Sequence, residues 1–249
     1  MIERGMHMAL EIFNRRELKY LIPFDTYQSL VRDMMPYMRY DKFGDGYGRY
    51  NIVSLYFDTP QQTIYYETRN KLNFRQKLRL RVYDQADLTS TSFLEVKQKF
   101  KNVVNKRRTL VTLQEAYDYI YQGKPIGESV SNPQIYKEID HFKNLYDLRP
   151  EIVVSYDRQA FHGIYEDDLR VTYDYNLMCR NDDLHIENGP QGTHFVDENL
   201  VVLEVKVSTS VPLWLTELLS DYGLQKQGVS KFCTSLDVMH RGTEERIAQ

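Results

Sequence analysis

Lys77-Leu78-Arg79-Leu80-Arg81-Val82-Tyr83 alternates basic and apolar side chains without interruption. Successive side chains of a β-strand point to opposite faces. Lys77, Arg79 and Arg81 therefore share one face, and Leu78, Leu80 and Val82 share the other. Three Glu-apolar-Lys tripeptides repeat the arrangement: Glu17-Leu18-Lys19, Glu95-Val96-Lys97 and Glu204-Val205-Lys206. Arg170-Val171-Thr172-Tyr173-Asp174 does so again. An ordinary half-buried strand turns apolar residues inward and scatters polar ones outward. Here one face of many strands concentrates mixed charge, rich in Lys and Arg. The simplest architecture that follows is α+β: an eight-stranded antiparallel β barrel with a charged interior and helices packed outside. Such an interior would bind a polyanion and a metal ion. A solvent-facing sheet laced with cross-strand ion pairs gives the same pattern, and the pattern alone leaves both readings open.

Composition narrows the class. A chain of 249 residues holds one large domain or two small ones, and it is long enough to bury a substantial core. Twenty Tyr favour strands over helices. The net charge of −3 argues against a general nucleic-acid binder, and no RRM, KH or helix-turn-helix signature is present. A polyanion site must then be a local basic concentration in an acidic remainder. Two cysteines, Cys179 and Cys233, make no disulfide framework and point to a reducing compartment. There is no secretion signal and no run of about 18 apolar residues. The expected location is cytoplasmic, with any membrane association supplied by a partner.

Along the chain, residues 1–12 read as a flexible leader, 13–241 as a single domain and 242–249 as a tail. Strands are expected over Asn14 to Pro23, Tyr50 to Asp58, Phe74 to Tyr83, Ser92 to Phe100, Val103 to Thr112, Glu151 to Gly163, Asp168 to Met178 and Asn199 to Val207. Helices are expected from Pro23 to Met38, with Asp25 as N-cap, and over Gln61 to Glu67, Leu113 to Tyr121, Gln134 to Tyr146, Pro212 to Tyr222 and Lys231 to His240. Asp41 to Gly48 and Asn181 to Asp197 read as loops. No fixed-period repeat is present.

Chemistry on a polyphosphate is mostly positioning and charge neutralisation. It calls for several Arg and Lys converging from different strands, with a hard cation held by few carboxylates. The basic candidates are Lys19, Lys77, Arg79, Arg81, Lys97, Arg158, Arg170, Lys206 and Lys231. The carboxylates are Glu17, Glu95, Asp174 and Glu204. The six histidines lack metal-ligand spacing.

These residues carry a family resemblance. Arg16-Glu17-Leu18-Lys19-Tyr20, Ser54-Leu55-Tyr56-Phe57-Asp58, Lys77-Leu78-Arg79-Leu80-Arg81, Leu94-Glu95-Val96-Lys97, Tyr156-Asp157-Arg158-Gln159-Ala160-Phe161, Leu203-Glu204-Val205-Lys206 and Ser230-Lys231-Phe232 occur in one order. In that order the chain resembles the polyphosphate polymerase domain of the vacuolar transporter chaperone (VTC) complex, a triphosphate tunnel metalloenzyme of the CYTH-like superfamily. The resemblance runs from about residue 13 to 240. It implies a tunnel that transfers the γ-phosphate of ATP to a growing inorganic polyphosphate chain, assisted by Mn²⁺ or Mg²⁺. Pyrophosphate or triphosphate would serve as primer or product. Lys19, Arg79, Arg81 and Lys97 match residues that hold the nucleotide phosphates. Arg158, Arg170 and Lys231 match residues around the phosphate chain, with Ser230 beside them. Glu204 matches the metal-binding glutamate, and Lys206 shares its strand face and contacts phosphate. Glu17, Glu95 and Asp174 are further metal candidates, with salt bridging to Lys as the equal alternative for Glu17 and Glu95. Lys106, Arg107 and Arg108 form a basic hairpin cluster that either guides substrate or is a solvated turn.

Two departures weigh on this reading. Hydrolytic members open with Glu-x-Glu-x-Lys, whereas this chain has Arg15-x-Glu17-x-Lys19, which favours the polymerase over a hydrolase of triphosphate or tripolyphosphate. No phosphate-sensing domain and no membrane segment is recognisable in the chain, so export would need a membrane-protein partner encoded separately. A non-catalytic module that binds polyphosphate or inositol polyphosphate fits the same basic residues.

Overall fold

The computed structural model describes residues 16–247 apart from 102, 128 and 129. The expected leader, Asn14 and Arg15 lie outside the described residues. The elements follow in the order β1 (Arg16–Pro23), α1 (Phe24–Met34), β2 (Met38–Tyr40), β3 (Arg49–Asp58), α2 (Thr63–Arg69), β4 (Phe74–Tyr83), β5 (Thr91–Phe100), β6 (Val103–Thr112), α3 (Leu113–Gln122), α4 (Pro133–Leu145), β7 (Arg149–Gly163), β8 (Arg170–Arg180), β9 (Thr193–His194), β10 (Leu200–Val207), α5 (Leu213–Asp221) and α6 (Lys231–Ile247).

Eight antiparallel strands lie side by side in the order β1-β10-β8-β7-β3-β4-β5-β6, with β2 added to β7 and β9 to β8. Among the described residues hydrogen bonds do not close this sheet: β1 and β6 are its two ends. It is rolled nonetheless, because Lys97 on β5 is held within the fields of Glu17, Lys19 and Lys206, which sit on the opposite end of the strand order. The architecture is a barrel-like tunnel whose seam is not bonded strand to strand. On the β1 side, Tyr20 bridges Lys226 and the Gln227 amide donates to the Lys19 carbonyl, so the chain before α6 lies along that edge.

Register fixes the two faces. Tyr56, Ser54, Ile52 and Tyr50 of β3 pair with Ile152, Val154, Tyr156 and Arg158 of β7, and all eight point inward. The opposite faces carry Leu78, Leu80, Leu94, Val96, Val171, Tyr173, Leu203 and Val205, each at most 1% exposed. Helices cover them as the sequence predicts. Tyr27, Leu30 and Met34 of α1, with Leu215 and Leu219 of α5, pack on β8 and β10. Ala116, Tyr117, Ile139 and Phe142 of α3 and α4 join the core that contains β4 and β5. Fully burying one such side chain stabilises by about 1.5–3 kcal/mol.

The interior is not uniformly polar. The first turns of α6 fill one end of it: Phe232 tilts against Tyr56 at 5.3 Å, and the Cys179 thiol faces the Ser235 carbonyl at 3.8 Å. Cys179 reaches the inner face through an irregularity in β8, where the register slips between Ser155/Met178 and Asp157/Tyr175. The extra residue lies beside Asn176, which is left-handed with φ 49°. Without it Asp174 and Cys179, an odd number apart, would face opposite ways.

Four expectations need correction. Asp25 does not cap α1: Pro23 occupies the N-cap with no side-chain bond, and its fixed φ of −60° sets the entry. The helix stops at Met34, and Met38–Tyr40 pairs instead with β7. Lys106, Arg107 and Arg108 sit within β6 rather than in a turn, and α6 runs past His240 to Ile247.

Asp58 ties β3 to α2. Fully buried, its carboxylate accepts from the Thr59, Ile64 and Tyr65 amides at 2.7, 2.8 and 2.9 Å. Asp58→Ala would leave these donors unsatisfied and cost about 3 kcal/mol, read as a lower urea midpoint at unchanged m-value.

Candidate functional site

The expected basic residues converge inside the tunnel in two ion-pair nodes. The first is built on Glu204 of β10, 4% exposed. Register sets it directly opposite Lys19 of β1 and Thr172 of β8. Lys19 Nζ lies 2.9 Å and Lys231 Nζ 3.4 Å from Glu204 Oε1, while Lys206 Nζ is 2.7 Å from Oε2. Arg158 stands 4.0 Å from the same carboxylate and grips Asp174 bidentately, Nε to Oδ1 at 2.6 Å and Nη2 to Oδ2 at 2.8 Å. Lys231 also reaches Asp174 at 2.6 Å, over the face of Tyr156. Glu17 completes the node, 3.4 Å from Lys19 and 3.7 Å from Lys206. Ser230 accepts the Cys233 amide at 3.4 Å, opening α6 so that Lys231 leads the helix into the tunnel.

The second node is Glu95 of β5, 1% exposed. Arg79 Nε donates to it at 2.6 Å, Lys106 pairs with it, and Arg81 lies 3.9 Å away. Arg81 is fixed by Ser54 at 2.9 Å and by the Tyr156 hydroxyl at 3.2 Å. Arg79 also donates to the Tyr56 hydroxyl at 3.2 Å.

Lys77 and Lys97 differ from the rest. They face each other directly across β4 and β5. The ion pairs among the described residues use neither of them. Like charges directly opposite on a sheet repel. Burial, reinforced by Lys97 and Lys19, pushes the Lys77 ammonium down to about 8, and burial pushes Lys97 down as well.

Arg170 stands apart at the other end of the interior. It bonds Asp41 at 2.8 Å and the Tyr50 hydroxyl at 3.0 Å, and its Nε is buried without a partner. Asp41, 2% exposed, also faces His162 at 3.4 Å. Asp41 was missed because it reads as a loop residue; Tyr50, Tyr56 and Tyr156 were missed among twenty tyrosines. The inward alternation of β3 and β7 could have flagged those three. Lys106 was recognisable by its place opposite Lys97 in the hairpin.

The carboxylates are held charged. Burial opposes ionisation of Glu204, but Lys206, Lys231, Lys19 and Arg158 outweigh it and hold it well below the usual range. Arg158 and Lys231 do the same for Asp174, and Arg79 and Arg81 for Glu95. As for a metal, Glu17 and Glu204 share Lys19 as neighbour and offer hard oxygen donors of the kind Mg²⁺ and Mn²⁺ take. Among the described residues no group of three His, Cys, Asp or Glu is placed to hold an ion.

With this geometry in view, comparison with known proteins is informative. The VTC domain family model matches residues 14–240. The chain belongs to the VTC domain family. It is similar to vacuolar transporter chaperone complex subunit 4 of Trypanosoma cruzi, 22% identical over 215 residues, which cover 69% of this chain and 26% of the relative. The chain thus spans about a quarter of the length of that curated relative. In structure it is similar to a Bacillus halodurans protein described as a candidate adenylate cyclase, with a TM-score of 0.53 at 15% identity over 88% of this chain and 94% of that one. A Hippeastrum candidate adenylyl cyclase described as having a dominant triphosphatase activity aligns at a TM-score of 0.49 and 15% identity, over 89% and 94%. The likeness to the Bacillus halodurans protein shows a shared barrel-like tunnel fold.

A pH dependence follows. Glu95, Asp174 and Glu204 bind protons more weakly folded than unfolded. Their contribution is fully present above the unfolded values and is lost as pH falls through the folded ones. Thermal stability should therefore drop steeply below about pH 4.5, measured as Tm against pH. Glu204→Gln, which strands Lys19, Lys206 and Lys231, should cost about 3 kcal/mol at neutral pH and flatten that acid limb.

Proposed function

We propose that this domain transfers the γ-phosphate of ATP onto a growing inorganic polyphosphate chain inside its basic tunnel. The observation that carries the reading is the facing pair Lys77 and Lys97: two inward ammonium groups that enter no ion pair among the described residues, beside Arg79 and Lys19. A linear polyanion is the ligand that relieves their repulsion. The interior sets basic side chains, among them Lys19, Lys77, Arg79, Arg81, Lys97, Lys106, Arg158, Arg170, Lys206 and Lys231, against Glu17, Asp41, Glu95, Asp174 and Glu204, in a protein of net charge −3.

In this mechanism a terminal oxygen of the chain attacks the γ-phosphorus in line, the bond to the β–γ bridging oxygen breaks, and ADP leaves. Arg79, Arg81, Lys97 and Lys19 hold the nucleotide phosphates. Arg158, Arg170, Lys206 and Lys231 align the acceptor chain, with Ser230 beside it. Charge is spread over the equatorial oxygens in such a transfer, and preorganised donors are the main catalytic means. Glu204, with Glu17 beside it, would hold Mn²⁺ or Mg²⁺, which would supply charge neutralisation on the phosphates. Family membership supports polyphosphate chemistry, and the relative's place in a multi-subunit complex supports association with partner subunits. No helix among the described residues is long and apolar enough to cross a membrane.

One observation favours a second reading, a polyphosphate or inositol polyphosphate binding module without turnover. Both Glu204 oxygens already engage lysines, which a metal would have to displace. Incubation with ATP, Mn²⁺ and a trace of pyrophosphate decides between them on a polyphosphate-stained gel. A polymer ladder with ADP is expected, reduced about 100-fold or more in Arg79→Ala/Arg81→Ala. Free phosphate without polymer would indicate a hydrolase, and salt-sensitive binding without turnover the module.

Lys77 gives a separate test. Its folded value of about 8 lies below its unfolded 10.5, so anion binding should restore a proton. At pH 8 tripolyphosphate should bind with net proton uptake, read by calorimetry in buffers of different ionisation enthalpy, and Lys77→Met should reduce that uptake, Lys97 and Lys106 supplying the rest.

A further inference from the structure

The outer face of the β4–β5–β6 sheet loses its helical cover toward one end. Leu78 and Val96, paired across β4 and β5, are buried under α3 and α4. One step on, Gln98 pairs with Gln76 and bonds Arg107 and Glu138 of α4, marking the limit of that cover. The next step on the same face is Phe74 opposite Phe100 opposite Val103, a row across three strands. These are 47%, 55% and 46% exposed, and Leu72 beside them is 49% exposed. A contiguous apolar patch left open in this way marks an interaction surface.

Its surroundings identify the partner. The segments 70–75 and 99–104 contain Lys71, Arg75, Lys99 and Lys101 and no acidic residue, in a chain of net charge −3. The ion pairs among the described residues use none of the four. Lys101 extends over the Phe100 ring at 5.5 Å, its stem on the apolar row and its charge at the rim. Exposed aromatic side chains flanked by cations that enter no ion pair, Lys71 and Lys101 at the tip and Arg75 and Lys99 on its inner face, suit a fluid anionic surface, which takes apolar groups at headgroup depth and attracts Lys and Arg without needing a matching pocket.

We propose that this strand tip docks on an anionic lipid bilayer. The inner face of the same tip carries Arg75 opposite Lys99, next to Lys77 opposite Lys97. Docking therefore sets that mouth of the tunnel against the membrane surface. The proposal does not rest on the transfer reaction.

Flotation of the purified chain with vesicles tests it, using phosphatidylcholine alone or with about a quarter phosphatidylserine. Co-flotation is expected with the anionic vesicles only, weakening as salt rises. Phe74→Ser/Phe100→Ser and Lys71→Glu/Lys101→Glu should each lower the partition coefficient about tenfold, while the tunnel variant Lys97→Ala should float like wild type. Both charge-reversed residues are exposed, so that variant keeps the test valid if the double Phe variant fails to fold. The proposal is overturned if wild type stays off anionic vesicles, or if Lys97→Ala loses as much binding as the tip variants. It also falls if the patch instead joins two copies of the chain, seen as a dimer that the double Phe variant dissolves without any vesicle binding.

Discussion

A desolvated cation inside a rolled sheet needs either a carboxylate or a ligand, and this constraint orders the whole interior. Glu204 and Asp174 gather Lys19, Lys206, Lys231 and Arg158 into one network, and Glu95 gathers Arg79, Arg81 and Lys106 into another. Each carboxylate serves several strands at once. Among the described residues no ion pair of either network crosses the seam between β1 and β6; each network ties neighbouring strands on its own side of it. Breaking such a buried node costs far more than any surface pair contributes. The counter-ions run short at Lys77 and Lys97, and there the interior is prepared for an anion from outside.

Much of this was legible because strand periodicity is unforgiving. A one-residue slip would send Arg79 and Arg81 outward and Leu78 and Leu80 inward, so Lys77-Leu78-Arg79-Leu80-Arg81 admits only one orientation. The same logic placed Lys19, Lys97, Lys206 and Glu204. What was not legible depends on pairings far apart in sequence. Asp41 gains its role only because β2 and the following loop fold back on β7 and bring it to Arg170 and His162. Tyr56 and Tyr156 look like any strand tyrosines until their partners, Arg79 and Arg81, are in place. The open seam was also invisible, since closure depends on distances between β1 and β6 that no local pattern encodes.

Local backbone devices supply the rest. Pro23 ends β1 and starts α1 without a capping side chain. Asp58 turns β3 into α2 by satisfying three amides at once. Asn176 rephases β8, so that one strand presents an ion-pairing carboxylate at Asp174 and an apolar thiol at Cys179 to the same interior. The division between a wet, charged mouth and a dry, helix-filled end is therefore written into one strand.

That dry end holds both cysteines. Cys179 faces the Ser235 carbonyl and Cys233 the Tyr65 carbonyl, and each is sealed by the seating of α6. Burial pushes the Cys179 thiol up to about 12, so it is unreactive while the helix is seated. Lys231, the residue that leads α6, is bound into the Glu204 and Asp174 network. The rate at which a small alkylating reagent consumes these thiols is thus a native clock for helix departure, and its hand is geared to the charge state of the tunnel.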